Sequence, residues 1–158
     1  MSPMQFTWAR LANLNAETLH EIMAARQRVF VVEQNCPYLD ADGYDAQSWH
    51  LTGRINGELA AYLRIVDAGL KYPEPSIGRV LTALPFRGRG LGQQLLREAL
   101  DGCHHRYPGQ GNRISAQSYL TDFYRSFGFE QVSAEYLEDD IPHIEMLRPC
   151  TALTMDSP

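Results

Sequence analysis

Hydrophobic positions along this chain switch between two periods. Residues 5–10 alternate weakly and end near Leu11, which suits a first strand. Asn15 can cap the next segment, with Glu17 in its first turn. Leu19, Ile22, Met23, Val29 and Phe30 then recur near helical spacing, and Val31 and Val32 carry the apolar run to Glu33. Residues 34–47, with Pro37, Gly43 and several aspartates, read as a long loop of the kind that is often functional. Residues 49–55 and 58–66 flank Asn56-Gly57, which supplies the positive φ angles of a type I′ hairpin turn. A loop over 69–75 leads to a short strand over 76–82, and Pro85 interrupts before a glycine cluster. Leu91, Leu95, Leu96, Ala99, Leu100 and Cys103 share one helical face, and residues 108–112 stop that helix. A strand over 113–117 and a short helix over 120–127 follow, with Gly128 at the helix end. Residues 129–137 and 143–147 read as a closing hairpin around Asp139-Asp140. The order β-α-β-β-β-α-β-α-β-β predicts an α/β (α+β) mixed sheet with helices packed against it.

Composition narrows the class. A chain of 158 residues suits one domain with a single core, here 1–150, followed by a loose tail over 151–158. With 44% hydrophobic and 21% charged residues it should be globular. No apolar run approaches the roughly 20 residues that span a bilayer. The start, Met1 to Gln5, has neither a basic nor an apolar signal region. Cys36, Cys103 and Cys150 are odd in number and widely spaced, which fits a reducing compartment. The expectation is a cytoplasmic protein with no membrane partner. A net charge of -5 argues against a general nucleic-acid binder. The charge is uneven, however. Arg79, Arg87, Arg89 and Arg97 cluster mid-chain, where a basic patch can receive a phosphorylated ligand.

Arg87-Gly88-Arg89-Gly90-Leu91-Gly92 lies between a strand and a helix. Glycines let backbone N–H groups close around an anion, and the helix adds unpaired amides and the positive end of its dipole. A diphosphate is the natural guest. A Walker A loop would need Gly-Lys-Ser/Thr where this chain has Gly92-Gln93-Gln94. A dinucleotide fingerprint would need a glycine at Gln93 or Leu95. Arg-x-x-Gly-x-Gly remains, alongside the plainer reading of an ordinary glycine-rich turn. That pattern resembles the acetyl-CoA loop of the GNAT superfamily of N-acetyltransferases. Asp122-Phe123-Tyr124-Arg125-Ser126-Phe127-Gly128-Phe129 is similar to that family's Phe/Leu-Tyr-x-x-x-Gly-Phe segment. Residues 28–38 with Asp42-Gly43, and Ile141-Pro142-His143, look like the narrower ElaA-like branch. The resemblance covers nearly the whole chain. It implies a GNAT-like, mostly antiparallel sheet of about seven strands. One departure is Gln117, where many members carry Asn.

The resemblance further implies that acetyl-CoA is the cosubstrate. No metal is expected from the spacing of potential ligands. Val80 and Leu81 would pair with pantetheine, and a backbone amide beyond that strand would polarise the thioester carbonyl. Arg87, Gly88, Arg89, Gly90, Leu91, Gly92 and Gln93 would hold the pyrophosphate, and Gln117 is a further coenzyme contact. Tyr124 would protonate the departing thiolate; the plain alternative is a core aromatic with a satisfied hydroxyl. An amine mostly ammonium at neutral pH needs a base. Glu33 leads, because burial at the end of an apolar helix would raise its pKa, although a cap or salt bridge is an equal reading. His143 is second, with a structural role as the alternative.

His50, beside Trp49, reads as half-buried packing. Cys103-His104-His105 lacks metal-ligand geometry, because adjacent helical side chains do not face one another. Asp40, Asp42, Asp45 and Glu138 to Asp140 form either an anionic rim for a cationic acceptor or a solvated face. The acceptor is expected to be a small-molecule or peptide amine, with a homodimer left open. A non-catalytic acyl-CoA binding module is one alternative. The other is an acyl-homoserine-lactone-synthase-like acyltransferase, to which Arg28-Val29-Phe30 is loosely similar.

Overall fold

The computed structural model describes residues 2–150; the tail over 151–158 lies outside the described residues. Strands β1 (Gln5–Arg10), β2 (Ser48–Ile55), β3 (Glu58–Val66) and β4 (Ser76–Thr82) form one antiparallel sheet in that order. Its central hairpin turns at Asn56 and Gly57, with φ of 51° and 83°, as the type I′ pattern requires. Helix α1 (Ala16–Arg26) starts at Asn15, whose side chain accepts a hydrogen bond from the Thr18 amide at 2.8 Å. It runs on as a wider π-helical segment, Gln27–Glu33. Helix α2 (Leu91–Arg106) buries Leu91, Leu95, Leu96, Ala99 and Cys103, the face read from the sequence except for Leu100, which is partly buried.

Alternation along β3 sends successive residues to opposite faces. Leu63 and Ile65 join the larger core under α2, while Tyr62 packs with Ile22, Phe30 and Leu81 under α1. The two helices therefore cover opposite faces of the first sheet.

The second sheet holds β5 (Asn112–Gln117), β6 (Glu130–Gln131), β7 (Tyr136–Glu138) and β8 (Ile141–Arg148), all antiparallel to β8. The short helix α3 (Thr121–Arg125) precedes β6. The single strand expected over 129–137 is split in two. At the break the Ser133 hydroxyl, not a carbonyl, accepts from the Glu145 amide at 2.8 Å, so the ladder is interrupted.

Hydrogen bonds tie the two sheets together at one end of the β4–β5 pair. There the Arg113 amide donates to the Pro75 carbonyl at 3.2 Å, and the Asn112 side chain accepts from the Ile77 amide at 3.1 Å. Beyond that point β4 and β5 belong to separate sheets, and a cleft opens between them.

Candidate active site

The decisive local feature is a bulge in β4. Tyr62 pairs with Leu81 and Arg64 with Gly78, so Arg79 and Val80 together oppose Leu63. Arg79 adopts φ 51°, unusual for a residue with a side chain. Its guanidinium is held at 2.8 Å by the Asp40 carboxylate and at 3.3 Å by Asp42, and it lies over the Tyr38 ring. The bulge interrupts the ladder where the cleft begins.

Three adjoining cavities follow the cleft. The innermost, of about 120 Å³, lies between Gly78 to Val80 on one side and Ala116, Gln117 and His143 on the other. The middle one, of about 550 Å³, is lined by Val80, Leu81, Thr82, Phe30 and Phe123. The outermost, of about 230 Å³, is formed by Gly88, Gly90, Leu91, Gly92, Gln93 and Phe123. Gln34, Gln117 and Tyr124 border both the first and the second. Arg87 and Gly92 border both the second and the third. The path thus runs from the glycine loop inward to the bulge.

At the outer end, Gly90 caps α2 with φ 73° and offers no side chain to its first amides. Those amides are left to solvent or to an anion. Arg89 stays exposed, its guanidinium over the Phe86 ring. Arg87 is tied down: it donates to the Thr82 carbonyl at 2.9 Å and to Glu33 at 2.8 Å.

That pair changes the standing of Glu33. The expectation of a buried carboxylate fails, because its side chain is 30% exposed and engaged by Arg87. It borders the middle cavity, and the inner one is lined without it.

Tyr124 and His143 come together at the inner cavity. Tyr124 is buried, yet its hydroxyl makes no hydrogen bond among the described residues. Burial pushes the phenol's pKa up, with a smaller push from Tyr119, so it keeps its proton at neutral pH. Tyr124 belongs to the larger core, as the plain reading has it, beside the fully buried Phe129; what that reading lacks is a partner for the hydroxyl among the described residues. His143 Nδ1 lies 2.7 Å from the Ile141 carbonyl, an acceptor only, so this nitrogen carries the hydrogen. Nε2 is the nitrogen left without a backbone partner, with the Glu138 carboxylate 3.6 Å away.

Other expectations are corrected here. Asp40, Asp42 and Asp45 form neither a rim nor a solvated face. They are the counter-ions of Arg26, Arg64 and Arg79, at distances of 2.6 to 3.3 Å. Burial raises the Asp45 pKa, but hydrogen bonds and charge from Arg26 and Arg64 outweigh it and bring the group to about 2. His50 is not half-buried but 1% exposed. Its Nε2–H donates to the Asp45 carbonyl at 2.9 Å, and its Nδ1 accepts from the Tyr62 hydroxyl at 2.7 Å. Burial lowers its pKa, against the pull of Asp45. Among the described residues no group of three or more His, Cys, Asp or Glu is arranged to hold a metal, and no helix is long and apolar enough to cross a membrane.

Residues 14–148 match the family model described as the acetyltransferase (GNAT) domain. The chain belongs to the GNAT family. Its relatives place it in the ElaA-like branch. Protein ElaA of Escherichia coli is 42% identical over 139 residues, covering 87% of this chain and 91% of that protein. A UPF0039 protein of Synechocystis is 46% identical over 145 residues, covering 91% and 94%. Among solved structures, an acyl-CoA N-acyltransferase from Pseudomonas aeruginosa matches with a TM-score of 0.87 and 39% identity, over 92% of this chain and 99% of that one. As a GNAT member the chain is an acyltransferase that uses an acyl-CoA cosubstrate, and its outer and middle cavities suit one. The outer holds free helix amides, and the middle is largely apolar.

Proposed function

We propose that this GNAT member transfers an acetyl group from acetyl-CoA to a primary amine by direct attack on the thioester. The reading is carried by the unbonded Tyr124 hydroxyl at the junction of the inner and middle cavities. A protonated phenol there has the reach to serve a leaving thiolate, and the middle cavity suits pantetheine, with Val80 and Leu81 along its wall.

Gly88, Gly90, Leu91, Gly92 and Gln93 would hold the pyrophosphate through main-chain amides, with Arg89 adding charge and Arg87 bracing the loop. Gln117 would contact the pantetheine arm. The β4 bulge frees main-chain N–H groups that would polarise the thioester carbonyl.

His143, not Glu33, is the proposed base, because its Nε2 lone pair lies in the inner cavity and Glu138 would stabilise the imidazolium. The ammonium gives a proton to Nε2. The new C–N bond then forms as the C–S bond breaks; the thiolate takes the Tyr124 proton, and the acylated nitrogen gives its second proton to the Tyr124 phenolate. The imidazolium resets by losing its proton to solvent.

The test is Tyr124→Phe, assayed by amine-dependent release of free coenzyme thiol. The expected loss is about 10²-fold in kcat, with the rise in melting temperature on adding coenzyme A unchanged. Full activity of the variant would remove Tyr124 from the mechanism. Absence of release by the parent protein across a broad amine panel would leave a binding module instead.

A further inference from the structure

The inner cavity has a charge imbalance that the proposed chemistry does not use. Besides the His143 ring, three basic side chains line it: Arg64, Arg79 and Lys71. Arg64 is neutralised by Asp42 and Asp45, and Arg79 by Asp40 and Asp42. Lys71 has no such counter-ion. Among the described residues its ammonium makes no ion pair or hydrogen bond, and the aromatic contact it has is the Tyr72 ring, 5.7 Å to the centroid. Desolvation weakens its hold on the proton, opposed by the pull of Glu138. An ammonium partly withdrawn from water and left unpaired is destabilised unless an anion joins it.

The same cavity also carries carboxylates. Glu138 accepts from the Ser115 hydroxyl at 3.1 Å and faces His143, and its side chain is 41% exposed. Asp139 follows it on the cavity edge. A guest with a positive and a negative end therefore finds a partner for each. The volume, about 120 Å³, admits only a few heavy atoms; a cavity of about 150 Å³ holds a benzene ring.

We propose that the acceptor is a small amino acid-type zwitterion, whose carboxylate pairs with Lys71 while its amine approaches His143 and Glu138 from the cavity side. The proposal rests on the acetyl-transfer reading and names the class of amine. Lys71 sits on the loop between β3 and β4, away from the glycine loop, so it acts on the acceptor and not on the coenzyme.

The experiment compares glycine, β-alanine and γ-aminobutyrate with their primary amides, using acetyl-CoA and a free-thiol readout. Converting a carboxylate to an amide makes the amine a weaker base and leaves more of it neutral, so intrinsic reactivity favours the amides. Expected is the reverse for at least one pair, by about tenfold in kcat/KM. Lys71→Met should abolish that preference by raising KM about tenfold with kcat held within a few-fold, and Lys71→Arg should restore much of it. Amides used as well as the acids, or a preference that survives Lys71→Met, would overturn the proposal while leaving acetyl transfer intact. If none of these amines releases thiol, the acids are titrated calorimetrically into the coenzyme A complex. Binding lost in Lys71→Met supports the carboxylate site, and no binding by the parent protein overturns it.

Discussion

A carboxylate that already serves as an arginine's counter-ion is a poor proton acceptor, because taking up a proton dissolves the pair. Glu33 is in that position, 2.8 Å from Arg87. An imidazole with one nitrogen pinned to a carbonyl is in the opposite position. His143 cannot choose its tautomer freely, because Nδ1 is held by the Ile141 carbonyl, and the ring lines the inner cavity. His143→Gln is thus expected to lower kcat/KM for the amine about 10²-fold. Glu33→Gln should cost only a few-fold. A Glu33→Gln enzyme with the larger loss, beside a His143→Gln enzyme of near-parent activity, would reverse the assignment.

At the scale of elements, the glycine loop and the bulge were unequally legible. Gly88, Gly90 and Gly92 announced a backbone that needs no side chains, and the strand before and helix after them were marked by Thr82 and Leu91. Gly90→Val tests the loop. No atom would lie within 4 Å of a new Cβ there, so the penalty is conformational, about 1–2 kcal/mol for φ 73° with a side chain attached. Coenzyme A affinity by calorimetry should fall about tenfold or more, because the helix amides would be turned from the phosphate. The bulge carried no comparable signal. An arginine at positive φ is imposed by tertiary contacts, here Asp40 and Asp42, which local sequence does not reveal. Arg26 was hidden for a related reason. It occupies the buried stripe between Ile22 and Phe30, four residues from each, where periodicity expects an apolar residue. The aspartates read as solvent-facing because they lie in a stretch with Pro37 and Gly43, and nothing local ties them to β3. Lys71 carried no motif; its meaning comes from lacking a partner in a cavity where the other basic groups have one.

For the whole molecule, the cluster of Arg26, Arg64 and Arg79 with Asp40, Asp42 and Asp45 is electrically balanced and joins α1, the long loop, β3 and β4. Because Asp45 has its pKa lowered from 3.8 to about 2, it stabilises the fold fully above the unfolded value. That contribution is lost as pH falls through about 4 toward 2, and the lowered Asp42 acts in the same direction. Stability from chemical denaturation should therefore be steady near neutrality and drop steeply in this acid window. Removing one partner strands the others, so Asp45→Ala should cost about 3–5 kcal/mol at neutral pH. A loss under 1 kcal/mol would mean that the cluster contributes nothing net.

This same cluster backs one side of the inner cavity, through Arg64 and Arg79. Substitutions on that side would unseat four elements at once, so they are closed to gradual change. The turn around Asp139 and the Lys71 loop carry no such burden. Descendants of this enzyme that acquire new acceptors should differ there first, with the arginines and aspartates left in place.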